Sequence, residues 1–210
     1  MSGFAGFEAL VARVAALPGN RVMVAVSGPP GAGKSTLSDA LCSALNRQEP
    51  GSAAIIPMDG FHLDDRVLEE RGLLPRKGAP QTFDVAGFRH LLARLQDGAE
   101  EEVAIPVFDR GLEISRAGAR IVRSSTRILL VEGNYLLLKD DPWSGLAAFF
   151  DLAIMIREPR DQLKSRLLDR WRAYGFDAAA AAAKVADNDM PNVDLVLHGS
   201  IAADVETGAA

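Results

Sequence analysis

The sequence predicts an α/β fold, a single domain built on a five-stranded parallel sheet with helices covering both faces. Three observations carry this expectation. Short apolar runs at Val22 to Ser27, Ala53 to Met58, Arg127 to Glu132, Asp151 to Ile156 and Val193 to Leu197 alternate with helical patterns, the spacing that parallel strands with crossover helices require. The first run leads into Gly28-Pro29-Pro30-Gly31-Ala32-Gly33-Lys34-Ser35 and then into a helical stretch, Thr36 to Leu45. That is a full G-x-x-x-x-G-K-S/T pattern between a strand and a helix. No repeat and no linker-like stretch divides the 210 residues, so one domain over 1–210 is expected.

The elements follow in order. Residues 4–17 place Phe7, Leu10, Val11, Val14 and Leu17 on one helical face, and Pro18-Gly19-Asn20 turns the chain into the first strand. The helix after the glycine-rich turn carries Leu37, Leu41 and Leu45, and Pro50-Gly51-Ser52 closes it. The second strand finishes at Asp59. About residues 60–126 the pattern loosens into a short helical segment near Asp65 to Arg71, the loop GLLPRKGAPQTFD and a helix from Val85 to Gln96. A strand from Val103 to Val107 and a small hairpin or irregular excursion complete it. So much material between strands reads as a substrate-binding insertion. The third and fourth strands follow, separated by a short helix or loop carrying Trp143. Pro159 fits the first turn of a basic helix, Arg160 to Ala173, an alanine-rich helix follows, and the last residues read as a short tail after the fifth strand.

Composition narrows the function classes. A net charge of −5 argues against a nucleic-acid surface. The single cysteine, Cys42, leaves no internal disulfide and no multi-cysteine metal site, and reads as a buried small hydrophobe. There is no cationic region followed by an apolar run at the start, and the longest apolar stretch, Gly145 to Ile156, is broken by Asp151 and too short to cross a bilayer. The expectation is a cytoplasmic protein with no nucleic-acid or membrane partner.

The glycine-rich turn is a phosphate cradle. Glycines at 28, 31 and 33 permit tight turns and close approach, the backbone of Ala32 and Thr36 lies with them, and helix-start N–H groups converge on an anion. Lys34 reaches the terminal phosphates, and the Ser35 hydroxyl can ligate the accompanying Mg²⁺. Asp59, 25 residues after Lys34, falls at a strand's carboxyl end, where ligands bind such sheets. It can take a proton from an attacking hydroxyl or coordinate the metal. Glu132 follows four apolar residues and can hold Mg²⁺ or its bound water. Arg166 and Arg170 share one helical face and can close over a transferring phosphoryl group, or else form a solvated basic face with Asp161 and Asp169. His62, Arg76, Lys77, Asp84, Asp109 and Arg110 form a scattered polar set on the insertion, suited to a polyhydroxyl or anionic acceptor. Trp143 and Trp171 read as packing residues. The base-recognition motif of GTPases and the signature of transporter ATPases are both absent, which leaves a small kinase or another NTPase.

Taken together, GPPGAGKST, PMDGFHLDD, LLPRKGAPQTFDVAGF, PVFDR, VEGNYLLL and NDMPN resemble the uridine kinase, pantothenate kinase and phosphoribulokinase group of P-loop kinases. The resemblance is strongest to a bacterial nucleoside kinase-like subgroup also labelled as fructose-transport-system kinases, and it spans Val22 to Leu197. It implies a P-loop three-layer sandwich with strand order 2-3-1-4-5, a small lid at about 159–175, and ATP- and Mg²⁺-dependent phosphoryl transfer to a small-molecule hydroxyl. By this resemblance Asp59 is the general base, Lys34, Arg166 and Arg170 assist the transfer, and Ser35 and Glu132 hold the metal. Phe61, His62, Arg76, Lys77, Asp84, Asp109 and Arg110 face the acceptor, and Asn192 lies near the adenine. A sugar, fructose-like, is the first expectation for the acceptor and a nucleoside the second. A regulatory nucleotide-binding protein or slow ATPase is the alternative, and a homodimer is left open.

Overall fold

Why the chain folds as it does is clearest at its centre, where VMVAVS is apolar on both sides of the strand and so needs cover on both faces. The computed structural model describes residues 6–208. Phe4 and Ala5, where the first helix is expected to begin, lie outside them. Helix α1 (Phe7–Ala15) precedes β1 (Val22–Ser27), whose six residues are all buried. Then come α2 (Lys34–Gln48), β2 (Ala53–Pro57) and a single 3₁₀ turn, Met58–Phe61. The insertion contains α3 (Asp65–Glu70), α4 (Val85–Asp97) and the strands β3 (Glu102–Asp109) and β4 (Ile114–Arg123). The main sheet resumes with β5 (Ile128–Gly133) and β6 (Leu152–Ile156). Helix α5 (Arg160–Ala173), where the lid is expected, α6 (Ala178–Lys184), one π-helical turn (Val185–Asp189), α7 (Met190–Gly199) and β7 (Val205–Thr207) end the described chain.

The sheet runs β2-β5-β1-β6-β7, all parallel. Counting only these five strands in chain order gives 2-3-1-4-5, as the family resemblance implies. Register matters for the site: Val26 and Pro57 both stand opposite Glu132, so three strands end level beside the glycine-rich turn. One face of the sheet packs against α4, the β3–β4 hairpin, Tyr135 and Trp143. The other packs against α1, α2, α5 and α7. The excursion expected at 111–126 is half of an antiparallel hairpin, kinked between Ile105 and Val107, where Pro106 supplies no N–H.

One expected strand is wrong. Val193 to Leu197 lies inside α7, with Met190, Val193 and Val196 buried and Pro191 in the first turn. The fifth strand is instead Val205–Thr207, in the segment expected to be a tail. Cys42 is half-buried, with burial pushing its thiol up. Among the described residues no helix is long and apolar enough to cross a membrane.

Candidate active site

At the carboxyl edge of β1 the chain must turn sharply into α2 while leaving room for an anion. Gly31 and Gly33 adopt φ of 82° and 92°, left-handed values that a side chain would strain. Gly28 is squeezed differently: a Cβ there would stand 3.0 Å from the Ile156 carbonyl oxygen. The turn leaves Lys34 only 8% exposed, its Nζ donating to the Pro29 carbonyl at 3.0 Å. Burial pushes the Lys34 ammonium down to about 8, with Glu132 and Asp59 pulling it back up. Burial likewise pushes the Glu132 carboxyl up, and Lys34 opposes that shift. The Ser35 hydroxyl donates to Glu132 Oε2 at 3.5 Å. A cleft of about 330 Å³ opens here, walled by Gly31, Gly33, Lys34, Ser35, Thr36 and Glu132. Backbone N–H groups, a buried ammonium and two hard oxygen donors fit a polyphosphate with a Mg²⁺-like cation.

A second, larger chamber of about 570 Å³ adjoins the cleft. Asp59 lines both, on the 3₁₀ turn that follows β2. Its Oδ2 accepts from Arg110 Nη2 at 2.7 Å, and Arg110 also lines both spaces. His62 is wedged between Phe83 and Phe108, with ring centroids 4.1 and 4.7 Å away. Its Nδ1 lies 2.8 Å from the Asp59 carbonyl, which can only accept, so Nδ1 carries the proton and Nε2 is an acceptor. Burial pushes this imidazole down, disfavouring its charged form, with Asp59 pulling it back up. Across the chamber the lid supplies Arg170, Trp171, Tyr174 and Phe176. Trp171 Nε1 donates to the Asp189 carboxylate, which burial pushes up. Asn192, 3% exposed, completes this wall.

The structure brings some expected residues together and diverts others. Lys34, Ser35, Thr36, Asp59, Arg110, Glu132, Arg166 and Arg170 surround the cleft, and Lys77, His62 and Asn192 line the chamber. Asn192 therefore stands on the Asp59 side, with His62 and Trp171, and is not among the residues walling the phosphate cleft. Arg166 Nη1 donates to the Gly31 carbonyl at 3.3 Å and lies 3.6 Å from Glu158. Four residues expected on the acceptor side are engaged elsewhere. Phe61 packs its ring, tilted, 5.0 Å from that of Phe88, against the core. Arg76 donates to the Asp187 carbonyl and so ties the insertion to the π-turn. Asp84 caps α4 by accepting from the Gly87 N–H. Asp109 accepts from Gly111 and Leu112 N–H groups and pairs with Arg116, shaping the hairpin tip. None of the four lines either space. Asn134, Trp171, Tyr174, Phe176 and Asp189 do, and sequence reasoning missed them. Asn134 was signalled by its place two residues past Glu132. The lid aromatics WRAYGF carried no signal separating a wall from packing, and Trp171 is indeed also packed against the core.

No family model matches the chain. An uncharacterized protein of Escherichia coli K12, YggC, is 40% identical over 185 residues, covering 87% of this chain and 76% of that one. A Schizosaccharomyces pombe protein named "putative uridine kinase" is 31% identical over 192 residues, 88% of this chain and 82% of its own. The crystal structure of a "putative fructose transport system kinase" from Silicibacter sp. TM1040 superposes with a TM-score of 0.88 at 42% identity, covering 98% of each chain. The phosphate cradle, sheet order and these relatives define a P-loop kinase acting on a small-molecule alcohol. The chain belongs to the uridine kinase, pantothenate kinase and phosphoribulokinase group.

Proposed function

We propose that the protein transfers the γ-phosphoryl group of ATP, with Mg²⁺, to a hydroxyl of a sugar-like, polyhydroxyl metabolite. The observation that carries this reading is the position of Asp59, which lines both the phosphate cleft and the neighbouring chamber. A hydroxyl entering from the chamber meets the carboxylate before it meets the phosphate. Asp59 takes the hydroxyl proton as the oxygen bonds to the γ-phosphorus and the bond to the ADP oxygen breaks. Lys34 and Arg170, both at the cleft, offset charge on the transferring group, and Arg166 joins them from the same lid helix. Ser35 and Glu132 are the residues that would hold Mg²⁺, which when bound supplies charge neutralisation across the phosphates.

The chamber supports the sugar-like choice. Aromatic faces at Phe108, Trp171 and Tyr174 suit the C–H faces of a sugar ring. Polar groups at His62 Nε2, Asn134 and Asn192 suit its hydroxyls. Arg76 is turned away to the Asp187 carbonyl and lines neither space, and Lys77 is paired with Asp65 and Glu113, so neither offers the chamber a free charge. The test is acceptor-stimulated ADP release across sugars, nucleosides and hydroxy acids, for wild type and Asp59→Asn. Stimulation by a polyol, reduced at least about 100-fold in the variant, is expected. If stimulation survives undiminished in the variant, Asp59 is not the base. If nothing in the set stimulates turnover, the slow-ATPase reading takes over.

A further inference from the structure

The carboxylate offered as the base is already engaged. Arg110, the residue directly after β3 at the hairpin tip, donates through one nitrogen to Asp59 Oδ2 at 2.7 Å. Its guanidinium lies 5.9 Å from the Phe108 ring centroid and borders both cleft and chamber. The pair is easily opened: the Arg110 side chain is 57% exposed and the contact uses a single nitrogen, and exposed pairs of this kind hold weakly. The hairpin tip itself is fixed, because Asp109 accepts from the Gly111 and Leu112 N–H groups and pairs with Arg116. The guanidinium can therefore turn without moving the strand that carries it.

The other cations facing the chamber are differently placed. Lys77 is held by Asp65 at 2.6 Å and Glu113 at 3.4 Å. Lys184 sits 5.4 Å from the Trp171 ring centroid. Arg170 belongs to the lid and faces the phosphates as well. Among the described residues, Arg110 is the chamber cation whose one carboxylate partner is the base itself. A guanidinium bound to one carboxylate oxygen keeps donors in reserve, and it binds a planar carboxylate or a phosphate better through two parallel hydrogen bonds.

We propose that Arg110 is an acceptor-operated latch on Asp59: it reads an anionic group, carboxylate or phosphate, on the polyhydroxyl acceptor, and in turning to it frees the base. This rests on the reading of Asp59 given above. With no acceptor present the pairing lowers the share of free carboxylate, so a water beside the γ-phosphoryl group is activated less often and less ATP is lost. The acceptor class is accordingly a sugar acid or sugar phosphate, and a neutral sugar is the weaker substrate.

The test compares wild type, Arg110→Gln, Asp59→Asn and the double variant, each checked for an unchanged melting profile without ligands. Acceptor-free ADP release is followed with MgATP, then kcat/KM with fructose, fructose 1-phosphate and gluconate. Wild type is expected to favour one of the two anionic acceptors over fructose by about 10- to 100-fold, the worth of a charge-assisted hydrogen bond; which of the two separates phosphate from carboxylate recognition. Arg110→Gln should erase that preference through KM and raise acceptor-free ADP release several-fold, and adding Asp59→Asn should abolish the rise. Arg110→Gln with acceptor-free release no higher than wild type overturns the latch, as does an anionic preference that survives it. Asp59→Asn with undiminished acceptor-stimulated release fails the base assignment instead. The acceptor-free comparison decides the latch even if none of the three acceptors is turned over.

Discussion

Gly60→Ala separates two things that glycine does in this fold. Gly60 directly follows Asp59, and its φ is not in the left-handed region, so alanine has no backbone objection. The objection is space. A Cβ at Gly60 would lie 2.4 Å from the Pro106 carbonyl oxygen and 2.7 Å from its carbon. Ordinary contact begins at 3.4 Å, so something must retreat by about 1 Å, and what it meets is backbone of β3. Either the 3₁₀ turn carrying Asp59 shifts, or the hairpin carrying Arg110 does. Overpacking of this kind costs about 1–3 kcal/mol, which in a domain of this size lowers Tm by about 2–12 °C. A displacement of about 1 Å at a catalytic group also costs about 100-fold in turnover. Differential scanning fluorimetry and acceptor-stimulated ADP release read the two effects. Gly145→Ala is the control, since its nearest neighbour would be the movable Arg89 guanidinium at 3.5 Å. Gly60→Ala that melts with wild type and turns over at the wild-type rate would refute the reasoning.

Other substitutions test other parts of the site. Tyr135→Phe strips the buried hydroxyl that donates to the Gly78 carbonyl at 2.6 Å. It should cost about 1–2 kcal/mol and raise the acceptor KM more than it lowers kcat, measured by melting and steady-state kinetics. Lys34→Met removes an ammonium that burial has pushed down to about 8. Stability without nucleotide should hold or rise, while the gain from MgATP, about 2.7 kcal/mol at a hundredfold excess over Kd, should vanish in a thermal-shift titration. Asp189→Asn tests a pH effect. Burial raises the Asp189 carboxyl in the fold, so the unfolded chain loses that proton first, and stability falls as pH rises from the unfolded to the folded pKa. Urea midpoints across pH 4–8 should show the non-titrating variant gaining on wild type through that window and levelling off above it. A pH-independent difference would contradict the assignment.

What could be read from the sequence depended on how local its cause was. The cradle, Asp59 and Glu132 sit at ends of strands whose apolar runs announce them, so chain position already places them on one edge. Val193 to Leu197 misled because four apolar residues in a stretch of five, broken by Asp194, do not by themselves distinguish strand from helix. Met190, Val193 and Val196 settle it only once their burial within one helix is seen. The true fifth strand, three residues of intermediate or greater exposure, has no pattern to find. On the insertion, residue type was a poor guide to role. Asp84 and Asp109 have side chains short enough to reach their own backbone, and they do so as a cap and a turn. The chamber wall of Trp171, Tyr174 and Phe176 exists because the lid returns over the insertion, a long-range event that helical spacing does not encode.

The charges in the cleft suit a binding site better than a structural ion pair. Lys34 and Glu132 are both largely buried, and burial opposes the charge of each. If the pair served stability alone, direct contact would be the way to recover that cost. Among the described residues no ion pair joins them: Lys34 turns to the Pro29 carbonyl and Glu132 to the Ser35 hydroxyl. The ammonium stands on the side of the cradle's N–H groups, and the carboxylate stands with a hydroxyl, a second hard oxygen. Such a division satisfies a polyanion at one end and a divalent cation at the other, and each ligand restores the charge state that burial resists. The same division requires that the reacting hydroxyl arrive from elsewhere, and Asp59, facing the aromatic chamber, stands where it would arrive.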